Sequence, residues 1–318
     1  MIYLAYLLLA ALTVFLSVKL SYYVDCLDQK TNLSGAFIGG VLLAAVTSLP
    51  ELFTSLTAVL ALDQPNLVQG NVLGSNVFNL CIIGGLMLFT VKGYQNAKIS
   101  KSHFSTLLFG LAMYASVAFG VFCPIELPLG PLAINLASVA IVVVYVVSML
   151  TMKNDDTTTE EKEEEITLTI GQIVTRFIIC AILLVVVSVF LTQVTDKIAA
   201  ALNLGTTVAG AIFLGVATSL PELSASFNLV RIGNYNASFG NVVGSNVFNF
   251  MILAFGDILY TKGGIYMHES QTINLIVFGL LSTLFTMGVI KGQKNKVIVL
   301  ICSVLILASY VASIALSM

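Results

Sequence analysis

Thr47-Ser48-Leu49-Pro50-Glu51-Leu52 occurs again, letter for letter, as Thr218-Ser219-Leu220-Pro221-Glu222-Leu223. A second shared block follows each copy, GNVLGSNVFNL from Gly70 to Leu80 and GNVVGSNVFNF from Gly240 to Phe250. The chain therefore reads as two related halves, each with a glutamate beside a proline inside an apolar stretch. A carboxylate at membrane depth is costly unless it meets a cation, and paired repeats with interrupted helices place a shared site near the bilayer midplane. The duplication points to an ion pathway.

Composition sets the class. Of 318 residues, 58% are hydrophobic and 9% charged, with mean hydropathy +1.00, where a soluble domain carries about 25% charged residues. A polytopic membrane protein is expected. The segment from Ile2 to Val18 lacks a basic start and a small-residue cleavage site, so it reads as a retained transmembrane helix. Cys26, Cys81, Cys123, Cys180 and Cys302 form no C-x-x-C pair and read as small buried hydrophobes.

Uncharged runs long enough to cross a bilayer predict ten spans, at residues 2–23, 34–62, 66–91, 104–123, 128–152, 170–194, 205–230, 237–260, 270–290 and 296–316. The expected fold is all-α, with ten transmembrane helices in two inverted five-helix repeats. Residues 1–152 form the first repeat, 153–169 an acidic cytoplasmic linker and 170–318 the second repeat. An odd number of spans per half makes the second half enter from the opposite side. With both termini outside, twelve of the fourteen Lys and Arg residues fall on the cytoplasmic side, leaving Lys197 and Lys262 outside. The segment KNDDTTTEEKEEE from Lys153 to Glu165 is hydrophilic and reads as a solvated linker; it lacks the ligand spacing and glycine of an EF-hand loop.

The hexapeptide has a local consequence. Pro50 has no amide hydrogen, its ring clashes with the carbonyl of Val46, and it pushes Leu49 away from helical geometry. The second and seventh spans should therefore be broken helices, with carbonyls near Val46, Thr47, Ala217 and Thr218 freed to face protein, water or an ion. Glu51 lies three residues from Ser48 and four from Thr47, which puts all three on one helical face, and Glu222, Ser219 and Thr218 repeat the pattern. Inversion brings the glutamates together, making an all-oxygen cage. Such ligation suits hard cations: Ca²⁺ takes about six to eight oxygens, whereas transition metals prefer the His and Cys that these motifs lack. Na⁺ is of similar size. Burying each charged glutamate costs about 2.5–3.5 kcal/mol; one Ca²⁺, two Na⁺ or two protons would neutralise the pair. Exchange of one species for another is favoured over free passage, and acid should compete.

The second block supplies neighbours. Asn71, Ser75 and Asn79 recur at spacings of four and form one polar stripe, as do Asn241, Ser245 and Asn249. These stripes should present oxygens to the site. Gly70 with Gly74 and Gly240 with Gly244 permit close helix approach. Asn76 and Asn246 lie off the stripe, with local backbone bonding and a role at the site evenly balanced. Asp257 and Asp63 read as interfacial residues at span ends, and His103 and His268 as surface loop residues.

The paired TSLPEL and GSNVFN motifs resemble the alpha repeats of the calcium/cation antiporter superfamily, and most nearly the prokaryotic sodium/calcium exchangers. The resemblance extends over the whole chain. It implies alternating access around four cation sites, with Glu51 and Glu222 shared between Ca²⁺ and Na⁺. It also implies oxygens from Thr47, Ser48, Thr218 and Ser219, outer Na⁺ sites completed by Ser75 and Ser245, and a centre lined by Asn79 and Asn249. In such exchangers the first and sixth helices slide against the rest. The family pattern can carry an aspartate where this chain has Asn249, so proton or potassium coupling stands as an alternative to sodium.

The expected function is antiport of Ca²⁺ against Na⁺ across the inner membrane of a prokaryote, with no covalent catalysis, no cofactor and no nucleic-acid partner. The transported ions and the bilayer are the expected partners. A cation channel is the rival from another class, although no filter-like loop lies between the spans. An intramembrane hydrolase is disfavoured because no Ser–His or paired-aspartate arrangement lies within them.

Overall fold

The computed structural model describes residues 2–31, 37–129, 132–153, 167–201 and 215–316. The elements are α1 (Ile2–Lys30), α2 (Ile38–Thr47), α3 (Leu49–Leu60), α4 (Asn66–Asn96), α5 (Ser102–Phe122), β1 (Glu126–Leu129), β2 (Leu132–Asn135), α6 (Leu136–Lys153), α7 (Ile170–Ala201), α8 (Leu220–Arg231), α9 (Tyr235–Leu259), α10 (Ser270–Lys291) and α11 (Lys296–Ala315).

Among the described residues, seven helices are long and apolar enough to cross a membrane, and α2 with α3 makes an eighth if the bent pair is one span. The chain is an integral membrane protein. Exposed side chains along α1, α7 and α11, such as Leu7, Leu8, Ile182, Phe190 and Val304, are apolar, which suits a lipid-facing rim. By contrast, 78% of the apolar window of α9 is buried, against 17% for α1. α9 is therefore the central post, packed on α2, α3, α4, α5, α6, α8 and β2.

Three apolar clusters hold the bundle. One joins α3, α4, α5, α9 and α10 through Val59, Val72, Met113, Phe250 and Ile276. A second joins α4, α9, α10 and α11 through Ile83, Tyr94, Phe239, Val289 and Ile306. The third seats α1 against α7 and α8 through Leu20, Val24, Leu184 and Leu229. Gly244 of α9 lies directly against the backbone of Gly40 in α2, where a Cβ would collide with the Gly40 carbonyl. Glycine there lets the two helices meet at backbone distance.

The structure corrects several expectations. The helix of the fifth expected span, α6, begins at Leu136, not at residue 128, because β1 and β2 pair antiparallel ahead of it, with Glu126 opposite Asn135. Pro128 and Pro131 explain the late start, since proline disfavours helix at the preceding residue and removes helical donors. The hairpin also qualifies the all-α expectation. His103 is not a surface loop residue: it is fully buried in α5, with Nε2 2.8 Å from Asn236 Oδ1 of α9. Asp257 lies at the end of α9, as expected, but is covered by protein. It is 1% exposed, and its Oδ2 accepts from the Asn135 N–H at 2.8 Å, which ties the hairpin to α9. Cys123 is exposed, unlike the buried Cys26. The linker expected at 153–169 and the start of the span expected at 205–230 lie largely outside the described residues.

Candidate cation site

Both hexapeptides bend the chain at the serine. Ser48 sits at φ −90°, ψ 5° between α2 and α3, and Ser219 at φ −88°, ψ 11° before α8. The axes of α2 and α3 differ by 44°. Each proline falls in the first turn of the following helix, where its missing N–H costs nothing and its fixed φ suits a helix start. The glutamate next to it is then held in that same first turn.

The bends bring the two hexapeptides together. Ser48 Oγ donates to Glu222 Oε1 at 2.9 Å, and Ser219 Oγ donates to Glu51 Oε1 at 3.1 Å. Each carboxylate is thus held by the serine of the other motif copy. Glu51, Glu222, Ser48, Ser219 and Thr47 are all fully buried. Ser75 and Thr218 flank the Glu51 carboxylate, and Thr47 flanks that of Glu222.

Several oxygens of the hexapeptides and of the GSNVFN blocks make no close hydrogen bond. Among the described residues, Glu51 Oε2, Glu222 Oε2, Ser75 Oγ, Asn79 Oδ1 and Asn249 Oδ1 are buried and have no hydrogen-bond partner, and the same is true of Asn79 Nδ2. Buried polar atoms are ordinarily satisfied, so acceptors left open in the motifs of both halves call for a specific explanation. Two carboxylate oxygens, a hydroxyl and two amide oxygens make a donor set for a hard cation. No group of three or more His, Cys, Asp and Glu residues occurs among the described residues, so any cation held here relies on neutral oxygens beside the two acids.

The remaining predicted residues fall at or near this centre. Thr47 Oγ1 lies 3.1 Å from the Leu43 carbonyl, 3.3 Å from Asn241 Oδ1 and 3.4 Å from Ser245 Oγ. Ser245 Oγ in turn lies 3.4 Å from the Ala44 carbonyl. Thr218 Oγ1 donates to the Gly215 carbonyl at 3.1 Å. Asn71 and Asn241 also donate to the frame of the site through their amide nitrogens. Asn71 Nδ2 donates to the Glu51 carbonyl at 3.1 Å and to Ser55 Oγ at 2.9 Å. Asn241 Nδ2 donates to the Glu222 carbonyl at 3.3 Å and to Ser226 Oγ at 2.8 Å. Sequence reasoning missed Ser55 and Ser226. Their signal was present, because each stands four residues after its glutamate in both copies.

Asn76 and Asn246 pair across the centre. Asn76 Nδ2 donates to the Asn246 carbonyl at 3.3 Å, and Asn246 Nδ2 to the Asn76 carbonyl at 3.0 Å. Asn249 Nδ2 donates to Asn76 Oδ1 at 2.9 Å.

The profile of the sodium/calcium exchanger protein family matches residues 2–153 and 173–318. The inner membrane protein YrbG of Escherichia coli is 26% identical over 286 residues, covering 85% of each chain. The putative antiporter CaxA of Alkalimonas amylolytica is 26% identical over 242 residues, covering 75% of this chain and 74% of the relative. The fold is that of the sodium-calcium exchanger NCX_Mj, solved after a soak in Na⁺ and Sr²⁺, with a TM-score of 0.74 at 23% identity over 99% of both chains.

Proposed function

The chain belongs to the sodium/calcium exchanger protein family, and from that premise we propose that it is an antiporter moving Ca²⁺ against Na⁺ through the cage between Glu51 and Glu222. The observation that carries this reading is the reciprocal pair of Ser–Glu bonds, which leaves one open oxygen on each buried carboxylate. One Ca²⁺ neutralises two carboxylates, and so do two Na⁺. An empty site leaves two like charges in a medium where each is costly. Crossing is therefore favoured when the site is loaded, and loading by one species requires release of the other.

The ten-span count, the inverted five-helix halves, both termini outside and a cytoplasmic linker remain part of this proposal. They rest on the hydropathy runs and on the lysine and arginine bias. The non-helical backbone at Ser48 and at Ser219 agrees with interrupted helices at matched positions of two halves.

A second reading, Ca²⁺ exchange against protons or K⁺, draws on Asn249. An amide at this position leaves two acids in the cage, which lowers the charge available to several Na⁺ at once. Ca²⁺ flux into vesicles loaded with Na⁺, with pH clamped on both sides, tests the choice. Flux that follows the Na⁺ gradient supports sodium coupling. Flux driven by a proton or K⁺ gradient and indifferent to Na⁺ overturns it. Acid should slow transport in either case, because protons compete for the same oxygens.

A further inference from the structure

We propose that Asn76 is a positioning residue that turns the side chain of Asn249 so that its oxygen, not its amide nitrogen, faces the cation; this rests on the cage reading above. An asparagine presents an acceptor or two donors depending on which way its amide is turned. A cation site tolerates one orientation only, because N–H groups repel the ion. Nothing in the residue itself chooses between them.

The hydrogen bonds around Asn249 make the choice. A backbone carbonyl can only accept. Asn76 reaches the Asn246 carbonyl at 3.3 Å, so the Asn76 atom placed there is its nitrogen. The other end of the Asn76 amide is then its oxygen, which can only accept. Asn249 lies 2.9 Å from that oxygen and must offer its own nitrogen. Its oxygen is left as the outward end, buried and without a donor among the described residues. Orientation passes from a backbone carbonyl, through one amide, to the next. Turning Asn249 over would set two oxygens against each other.

Asn246 provides an internal control. It is the reciprocal partner, with Nδ2 donating to the Asn76 carbonyl at 3.0 Å. Its side chain makes the same kind of bond in the same place but passes nothing to Asn249. Removing the Asn246 side chain leaves its backbone carbonyl, and so the orientation of Asn76, in place.

Ca²⁺ flux in reconstituted vesicles, read as half-saturating Ca²⁺ and maximal rate, tests the relay with Asn76→Ala, Asn246→Ala, Asn249→Ala and the double variant Asn76→Ala/Asn249→Ala. Asn76→Ala should raise half-saturating Ca²⁺ by roughly tenfold with a smaller change in maximal rate, and Asn246→Ala should change it by about twofold or less. In the double variant the Asn76 effect should vanish, since a residue acting only through Asn249 has nothing left to orient. Melting temperatures of the purified variants separate loss of folding from loss of orientation. Equal effects of Asn76→Ala and Asn246→Ala, or additive effects in the double variant, overturn the relay. If the parent protein exchanges Ca²⁺ and Asn76→Ala leaves half-saturation unmoved, the relay alone falls. If the parent moves no Ca²⁺, the relay falls together with the cage reading.

Discussion

In the first copy of the GSNVFN block, Asn79 leaves both its amide atoms unpartnered among the described residues, whereas in the second copy Asn249 donates to Asn76 Oδ1 at 2.9 Å. The mirror-image bond would run from Asn79 to Asn246 Oδ1, and that oxygen is also unpartnered among the described residues. Asn246 instead borders a small cavity together with Thr106 and Tyr114 of α5 and Thr283 of α10. Identical letters thus supply the same donors and acceptors, yet only one of the two mirror-image bonds forms. The hexapeptides behave differently. There both mirror-image bonds form, and the Ser48–Glu222 and Ser219–Glu51 distances match closely.

The sharpest test of that contrast is the glutamate pair. Glu51→Gln and Glu222→Gln should each lower Ca²⁺ flux by about 100-fold or more, as expected when one member of a buried charged arrangement is removed. Vesicle flux that survives in one variant and not the other would break the equivalence of the two copies. Next come the serines. Ser48→Ala and Ser219→Ala each delete one hydrogen bond to a carboxylate, and each should weaken apparent Ca²⁺ affinity by about tenfold. The two losses should agree within about a factor of three; a wide gap between them would show that the carboxylates are not held alike.

A smaller difference is expected at the framing amides. Asn241 is fully buried, while Asn71 is half-buried. Asn241→Ala should therefore cost about 1–3 kcal/mol of stability, with Asn71→Ala at or below the lower end, as read by thermal melting in detergent. The reverse ranking would mean that burial does not set the difference. The smallest effect is expected at the exposed rim. Lys262 lies 3.0 Å from Asp63 Oδ2, and the lysine bond, followed by that from Tyr260, holds the Asp63 carboxyl below its usual range. A carboxylate with a depressed value stabilises the fold above the ordinary aspartate range and loses that contribution as pH falls through its lowered value. Because the pair is exposed, Asp63→Asn should leave the melting temperature unchanged at neutral pH. A clear drop would give the rim a part in holding the bundle.

Much of this was legible in the sequence, and the reasons differ by region. The bends at Ser48 and Ser219 follow from one proline and its steric demands, which act within four residues. The stripe of Asn71, Ser75 and Asn79 follows from helical spacing. Ser55 and Ser226 carried the same kind of local signal. His103 and Asp257 did not. Each looked like a residue at a helix boundary, and each is buried by a partner more than a hundred positions away, Asn236 in one case and Asn135 in the other. The hairpin at 126–135 was hidden because its apolar run reads as helix until the two prolines are weighed. Orientation of the amides was out of reach, since it depends on which backbone carbonyl comes to lie opposite Asn76.

The crossed Ser–Glu bonds have one more consequence. Because each acidic group is gripped from the opposite motif, the hinge at Ser48 cannot swing away from the hinge at Ser219 without stripping both carboxylates in the same instant. Opening and unmasking become a single event. In the proposed antiporter the latch and the cargo share the same two carboxylates, one oxygen of each for the serine and one for the ion.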